Sequence, residues 1–289
     1  MKQKHADFQV VPYPKVRRLL AAFLRPIQRT PTIHGLIEVD VTRARAFLRD
    51  HKAKTGESLS FTAFIATCLG KAVDENKAVQ ALRKGSKHLV LFDVVDVYTP
   101  IERDVAGQKQ NITCIIRAAN RKTLREIHQE IRAAQVEDVA KALEGFKALP
   151  WFLFLPAFLI RLFFWVFWWM LGRDPQLGKK YGGTVGLTAV GMFGEGAGWG
   201  IPPGTPQLNI TVGGIGVKPG VVDGHIAIRD YLSLTMSFNH EMIDGAPAAR
   251  FTGRLKDLIE SGYGLDESTV ESEQAVAPGT SMKSESGPH

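Results

Sequence analysis

Apolar residues recur at helical spacing across residues 15–28, where Val16, Leu19, Leu20, Phe23, Leu24 and Ile27 form one face and Arg17, Arg18 and Arg25 interrupt it. The pattern predicts a basic amphipathic helix, ended near Pro26, that packs on its own domain or rests on an anionic membrane. The period then changes. Ile37, Val39 and Val41 alternate along residues 32–41, which read as a strand. Thr42 is the expected N-cap of a helix to Lys54, stopped by Gly56; Ser60 is the expected cap of a second, over residues 61–73, with Phe64, Ile65 and Leu69 on its apolar face. The valine-rich residues 89–100 read as one buried strand and residues 111–117 as another, with polar residues 102–109 as a turn between them. Residues 121–149 read as one long charged helix, or two.

The second half is more strand-like. Asp223-Gly224 between apolar runs signals a hairpin. An apolar, β-branched run over residues 231–236 leads into Ser237-Phe238-Asn239-His240-Glu241-Met242-Ile243-Asp244-Gly245, and residues 246–258 read as a helix. The order of elements argues an α/β domain, a mixed sheet layered with helices in an α+β two-layer sandwich. Residues 1–14 are polar and predict a flexible arm. Residues 264–289, rich in Ser, Glu, Gly and Pro, predict a disordered tail, so the folded domain is expected over 15–263.

One stretch breaks the pattern. Residues 151–171 are almost wholly apolar and aromatic, part of an insertion expected over 149–171. Length and hydropathy meet the roughly 20 apolar residues of a membrane span. Pro156 predicts a kink, and Arg161 near the centre is costly in lipid. A single crossing would also put the two halves of one sheet on opposite sides. The expectation is therefore a segment that dips into one leaflet, packs between subunits or lines a tunnel for an acyl chain.

Charge narrows the partners. With 289 residues and a net charge of +7, the chain suits anionic ligands such as a phosphorylated cofactor or an acidic membrane surface. No zinc-ligand spacing or RNA-binding aromatic motif points to nucleic acid or to a metal. Cys68 and Cys114 lie in apolar segments and predict buried free thiols in a reducing compartment. No secretory signal opens the sequence, so the cytoplasmic side, peripheral on the inner membrane face, is the expected location.

The candidate chemistry sits at the turn around His240. A histidine at a strand end, followed by Asp244-Gly245, puts a base beside a carboxylate, with Gly245 expected to permit a tight turn or close approach. Residues 232–251, Leu-Ser-Leu-Thr-Met-Ser-Phe-Asn-His-Glu-Met-Ile-Asp-Gly-Ala-Pro-Ala-Ala-Arg-Phe, resemble the C-terminal motif of the acyltransferase cores of 2-oxoacid dehydrogenase complexes. That family shares its fold and a His-x-x-x-Asp-Gly motif with chloramphenicol acetyltransferase. Gly182-Gly-Thr-Val-Gly-Leu-Thr-Ala-Val-Gly191 resembles the family strand that carries a serine facing the reacting centre, and Thr188 stands at the serine. Residues 30–42 resemble the family's first strand more loosely.

The resemblance implies a chloramphenicol acetyltransferase-like fold, a homotrimer or a multiple of trimers, and acyl transfer from coenzyme A to a thiol, hydroxyl or amine. His240 is then the general base, a role that accelerates by roughly 10²–10⁴-fold. Thr188 is the oxyanion donor, worth about 3–4 kcal/mol. Asp244 orients the base or holds the turn, and Asn239 and Gly191 are the expected substrate contacts. Acyl-coenzyme A enters as substrate, with no metal and no covalently attached lipoyl group. The expected absence of a preceding lipoyl domain favours a free-standing transferase with a hydrophobic donor or acceptor. Asn239-His240-Glu241 departs from the family's Asp-His-Arg and reverses the charge after the base. A catalytically inactive trimeric scaffold, or a membrane-associated interaction protein of the same fold, is the alternative.

Overall fold

A computed structural model of the chain describes residues 8, 10–85, 87–105, 108–136, 156–191, 196–205 and 207–266. Its elements run α1 (Lys15–Ile27), β1 (Thr32–Asp40), α2 (Thr42–Thr55), α3 (Phe61–Glu75), β2 (Leu82–Lys84), β3 (His88–Val90), β4 (Val97–Val105), β5 (Gln108–Ile116), α4 (Leu124–Val136), α5 (Ala157–Arg173), α6 (Pro175–Gly182), β6 (Val185–Ala189), β7 (Leu208–Val222), β8 (His225–Asn239) and α7 (Gly245–Glu260). Six strands form one mixed sheet in the order β1-β8-β7-β6-β4-β5, and β2 pairs with β3 apart from it. The parallel pairings are β4 with β6 and β6 with β7; the rest of the large sheet is antiparallel.

Helices α2, α3, α4 and α7 pack together on one face of the sheet. Leu187, Ile210, Leu234 and Met236 from the strands meet Phe64, Leu69 and Phe251 from the helices in one buried cluster. Phe238 meets Phe251 edge-to-face at 5.8 Å between centroids. The alternate strand positions carry hydroxyls and amides: Ser233, Thr235, Ser237, Asn209 and Thr211 are all buried. Period-two alternation thus sorts β8 into an apolar row for the core and a polar row for the other side. On that side Gly200 of the loop 196–205 lies against Thr211 and Val190.

Local signals held where the chemistry is local. Ser60 Oγ accepts from Ala63 N at 3.3 Å, as a cap should. Gly56 takes φ 76° after α2, and Asp223 (φ 50°) and Gly224 (φ 79°) turn the β7–β8 hairpin. A capping box missed in the sequence opens α4, where Thr123 N donates to Glu126 Oε2 at 2.7 Å.

Several expectations are corrected. Thr42 is not the N-cap of α2. Val41 holds that position, and Asp40 Oδ1 accepts from both Thr42 N and Thr42 Oγ1. Residues 89–100 are not one strand, because distant side chains take the backbone between β3 and β4. Gln80 Nε2 donates to Phe92 O, Val95 N donates to Asn120 Oδ1, and Asp96 N donates to Thr184 Oγ1. Residues 102–109 are not a loose turn, since β4 and β5 stay paired out to Val105 and Gln108. A ladder is made by backbone groups and continues past the apolar side chains that signal it.

Pro156 is the N-cap of α5, and the residues before it, on which the expected kink depends, lie outside the described residues. The charged helix is described as Leu124–Val136; residues 137–155, which include the start of the apolar insertion, lie outside the described residues. The expected tail includes one residue of the core. Leu265 is 4% exposed and joins the core, and the remainder from residue 267 lies outside the described residues. Most of the N-terminal arm does too. Both cysteines are buried, and burial pushes the Cys68 thiol up, out of reach as a nucleophile.

Candidate active site

His240 directly follows β8 in a turn that four bonds fix. Its own N–H donates to Pro31 O at 2.8 Å, tying the turn to the start of β1. Met242 and Ile243 N–H groups return to Asn239 O, and Glu241 N donates to Asn239 Oδ1 at 2.9 Å. Arg83 of β2 reaches across to Glu241 at 3.2 Å. The charge after the base, reversed from the family pattern, thus has its own cation. Asn239 is buried at 9% exposure and works as a brace for this turn.

Among the described residues the imidazole makes one close bond, Nδ1 to Ile243 O at 2.9 Å. A carbonyl oxygen only accepts, so Nδ1 carries the proton and Nε2 keeps its lone pair. Asp244 is a minor neighbour: its carboxylate is 3.9 Å from Nδ1 and 89% exposed, and it makes no side-chain cap for α7. Gly245 is not needed for a tight approach. A Cβ there meets nothing within 4 Å and φ is not positive, because the residue simply begins α7.

Thr188 lies on β6 beside Thr211 of β7, half-buried. The start of this strand is pinned by Asp96, which sequence reading passed over. Thr184 N and Val185 N both donate to Asp96 O, while the Asp96 carboxylate accepts from Arg117 Nη1 (2.8 Å) and Ala118 N (2.9 Å). Arg117 also donates to the carbonyls of Lys179 and Lys180 at the end of α6. A buried carboxylate this fully paired is a rigid anchor. After the strand, Gly191 packs backbone on backbone: a Cβ there would lie 1.8 Å from Gly213 O. Its role is this close crossing of β7.

Within one chain Thr188 and His240 do not meet. Thr188 pairs with Thr211, and Thr211 with Thr235, so the three share a row. His240 is five residues beyond that row and two strands across. At about 3.3 Å per residue and 4.8 Å per strand, their backbones are roughly 20 Å apart.

A cavity of about 490 Å³ opens at the Thr188 end of the sheet. Ala189, Gly191, Val212 and Leu232 line it from the sheet side, and Leu48 and Phe61 from the helices. Arg45, Arg49 and Lys52 of α2 supply its cations, and among the described residues no carboxylate lines it. Arg45 is held by Asp230 at 2.9 Å, whereas Arg49 and Lys52 make no ion pair among the described residues. One wall, residues 58–62, is tied down by His128, whose Nδ1 accepts from Ser60 N at 3.0 Å. Burial, helped by Arg132, holds His128 below the usual histidine range, and therefore neutral and able to accept. Sequence reading found none of these cations. The signal available was Arg45, Arg49 and Lys52 at spacings of four and three on one helix face. Among the described residues no three metal-ligating side chains gather.

The catalytic domain of the 2-oxoacid dehydrogenase acyltransferases matches residues 5–144 and 176–265. The chain is 27% identical over 265 residues to the lipoamide acyltransferase component of the branched-chain alpha-keto acid dehydrogenase complex of Bacillus subtilis. That match covers 90% of this chain and 53% of the relative, so the chain spans about half the relative's length. Among solved structures, the cubic core of the pyruvate dehydrogenase multienzyme complex superposes with a TM-score of 0.64 at 20% identity, covering 90% of this chain and 94% of that one. The Azotobacter vinelandii dihydrolipoamide acetyltransferase, studied for the catalytic roles of a serine, a histidine and an asparagine, gives the same TM-score and coverage at 19% identity. These structures share the fold.

Proposed function

Because the chain belongs to the family of 2-oxoacid dehydrogenase acyltransferase catalytic domains, we propose that it transfers an acyl group between a coenzyme A thioester and a thiol, hydroxyl or amine acceptor. The observation that carries this reading is the imidazole of His240, whose Nδ1–H is committed to Ile243 O and whose Nε2 is left as the base. Nε2 takes the acceptor's proton as the acceptor attacks the thioester carbonyl. The carbonyl oxygen becomes an oxyanion, held by the Thr188 hydroxyl. Collapse breaks the carbon–sulfur bond, and the departing thiolate takes the proton back from the imidazolium. No covalent enzyme intermediate is needed. Asp244, at 3.9 Å and exposed, adds weak charge balance to the imidazolium.

The rough 20 Å between Thr188 and His240 in one chain requires a second copy to complete the site. A homotrimer, or an assembly of trimers, supplies it, with His240 of one protomer facing Thr188 of the next. The cavity beside Gly191 suits the coenzyme. Its pantetheine arm lies against the apolar floor, and its phosphates meet Arg49 and Lys52 at the rim. The Azotobacter enzyme's serine, histidine and asparagine parallel Thr188, His240 and Asp244 here, and threonine keeps the hydroxyl. The buried thiols fit a reducing compartment.

Loss of thioester absorbance on mixing acetyl-coenzyme A with dihydrolipoamide tests the reading. Turnover that is equal in the wild type and in His240→Ala refutes it.

A further inference from the structure

We propose that α1 and α5 form a docking surface for an anionic lipid bilayer, on which the protein lies without crossing. The two helices are built on each other. Phe23 of α1 packs against Phe164 and Trp168 of α5, with centroids at 5.7 and 5.4 Å, and Trp168 Nε1 donates to Phe23 O at 3.2 Å. That contact uses only one face of α5. On a second face Phe158, Leu162, Trp165 and Trp169 are 67, 52, 64 and 48% exposed, and they recur at spacings of four, three and four. Four large apolar side chains in one stripe exceed the scattered exposure of ordinary surfaces. Tryptophan at this density suits the headgroup boundary, where an apolar ring and a polar N–H are both satisfied.

Charge chooses the occupant. Neither helix contains an aspartate or glutamate, yet Arg17, Arg18, Arg25, Arg161 and Arg173 are all exposed. None of the five is in an ion pair among the described residues. Arg173 lies over the Trp169 ring at 4.1 Å, so its charge sits beside the apolar stripe. A second copy of the same face would oppose these arginines with arginines. Lipid phosphates pair with them, and long side chains reach the headgroups while the rings sink deeper.

Length argues for lying flat. Among the described residues no helix is long and apolar enough to cross a membrane. The 17 residues of α5 extend about 26 Å, short of a hydrocarbon core of roughly 30 Å. The family match breaks off at residue 144 and resumes at 176, so α5 lies in a part of the chain the shared catalytic domain does without. The surface also adjoins the base. Helix α5 packs against β2, and Arg83 of β2 pairs with Glu241 next to His240.

The test is co-sedimentation of the full chain with vesicles of phosphatidylcholine, with and without about a third phosphatidylglycerol. Binding is expected to the anionic vesicles, weakened by 0.5 M salt, and at least tenfold weaker for the double variant Trp165→Glu with Trp169→Glu. Circular dichroism and native mass confirm that this variant, altered only at exposed positions, stays folded and assembled. Arg161→Glu with Arg173→Glu is expected to weaken binding while keeping the aromatic stripe. No sedimentation at low salt, or equal sedimentation by the tryptophan variant, overturns the proposal. So does a fall in oligomer mass in that variant, which would assign the stripe to a second copy. Vesicle binding is read without turnover, so this result stands apart from the acyltransferase reading.

Discussion

His240 Nδ1 and the carbonyl oxygen of Ile243 lie 2.9 Å apart, a bond inside one turn that fixes which ring nitrogen is free. Replacing His240 with alanine is therefore expected to lower kcat by roughly 10²–10⁴-fold. The KM for acyl-coenzyme A should stay near wild type, since in the proposed site the imidazole acts on the acceptor's proton while Arg49 and Lys52 meet the coenzyme's phosphates. Steady-state kinetics with the acceptor saturating measures both.

Thr188 is expected to show the asymmetry of a hydroxyl donor. Thr188→Ser keeps turnover within a few fold, while Thr188→Ala loses about 3–4 kcal/mol of transition-state stabilisation, or roughly 10²–10³ in rate. Because the two groups are on different protomers in the proposed site, randomly mixed His240→Ala and Thr188→Ala chains should regain about a quarter of wild-type activity. Mixed assemblies as inactive as their parents would place both groups in one chain's site, or in none.

Arg49 and Lys52 face the cavity and have no carboxylate partner among the described residues. The double alanine variant is expected to raise the KM for acyl-coenzyme A several-fold and to leave kcat unchanged, with the difference shrinking as salt screens the phosphates. Calorimetric titration with coenzyme A at two ionic strengths measures the same effect without turnover.

His128 should make stability depend on pH. Burial, with Arg132, lowers its folded pKa below the ordinary 6.5, so the unfolded chain takes up the proton first as pH falls. The stability is fully present above about pH 6.5 and is lost as pH falls through the folded value. The urea midpoint is expected to drop between pH 7 and pH 5. His128→Asn, which keeps an acceptor for Ser60 N, should lack that part of the drop.

Two glycines are expected to part ways. Gly191→Ala forces a side chain into Gly213 O and should displace the segment after Thr188, lowering both activity and Tm. Gly245→Ala meets open space at the start of α7 and should change stability by less than about 1 kcal/mol. Thermal melts and turnover of the two variants make the comparison.

Much of the fold was legible because its signals are local. The Ser60 cap, the Gly56 stop and the Asp223-Gly224 hairpin each involve residues a few positions apart. So did the His240 turn as a place for a base. The misreadings share the opposite cause. Residues 91–96 carry a strand-like sequence, but Gln80, Asn120 and Thr184, up to 88 positions away, take their backbone groups. Gly245 looked like a conformational requirement because glycine follows aspartate there. Only the space around it shows that any small residue would do.

The sequence by itself determined the elements, the two motifs and the chemical kinds of their side chains, since period, caps and turn residues act over one or two turns of chain. Tertiary structure alone decided how far apart the motifs lie. Strand order and register are set by pairing between residues distant in sequence, and that pairing puts Thr188 and His240 at separate ends of one sheet. It also left one aromatic face of α5 packed and the other bare, a difference that an almost uniformly apolar segment cannot announce.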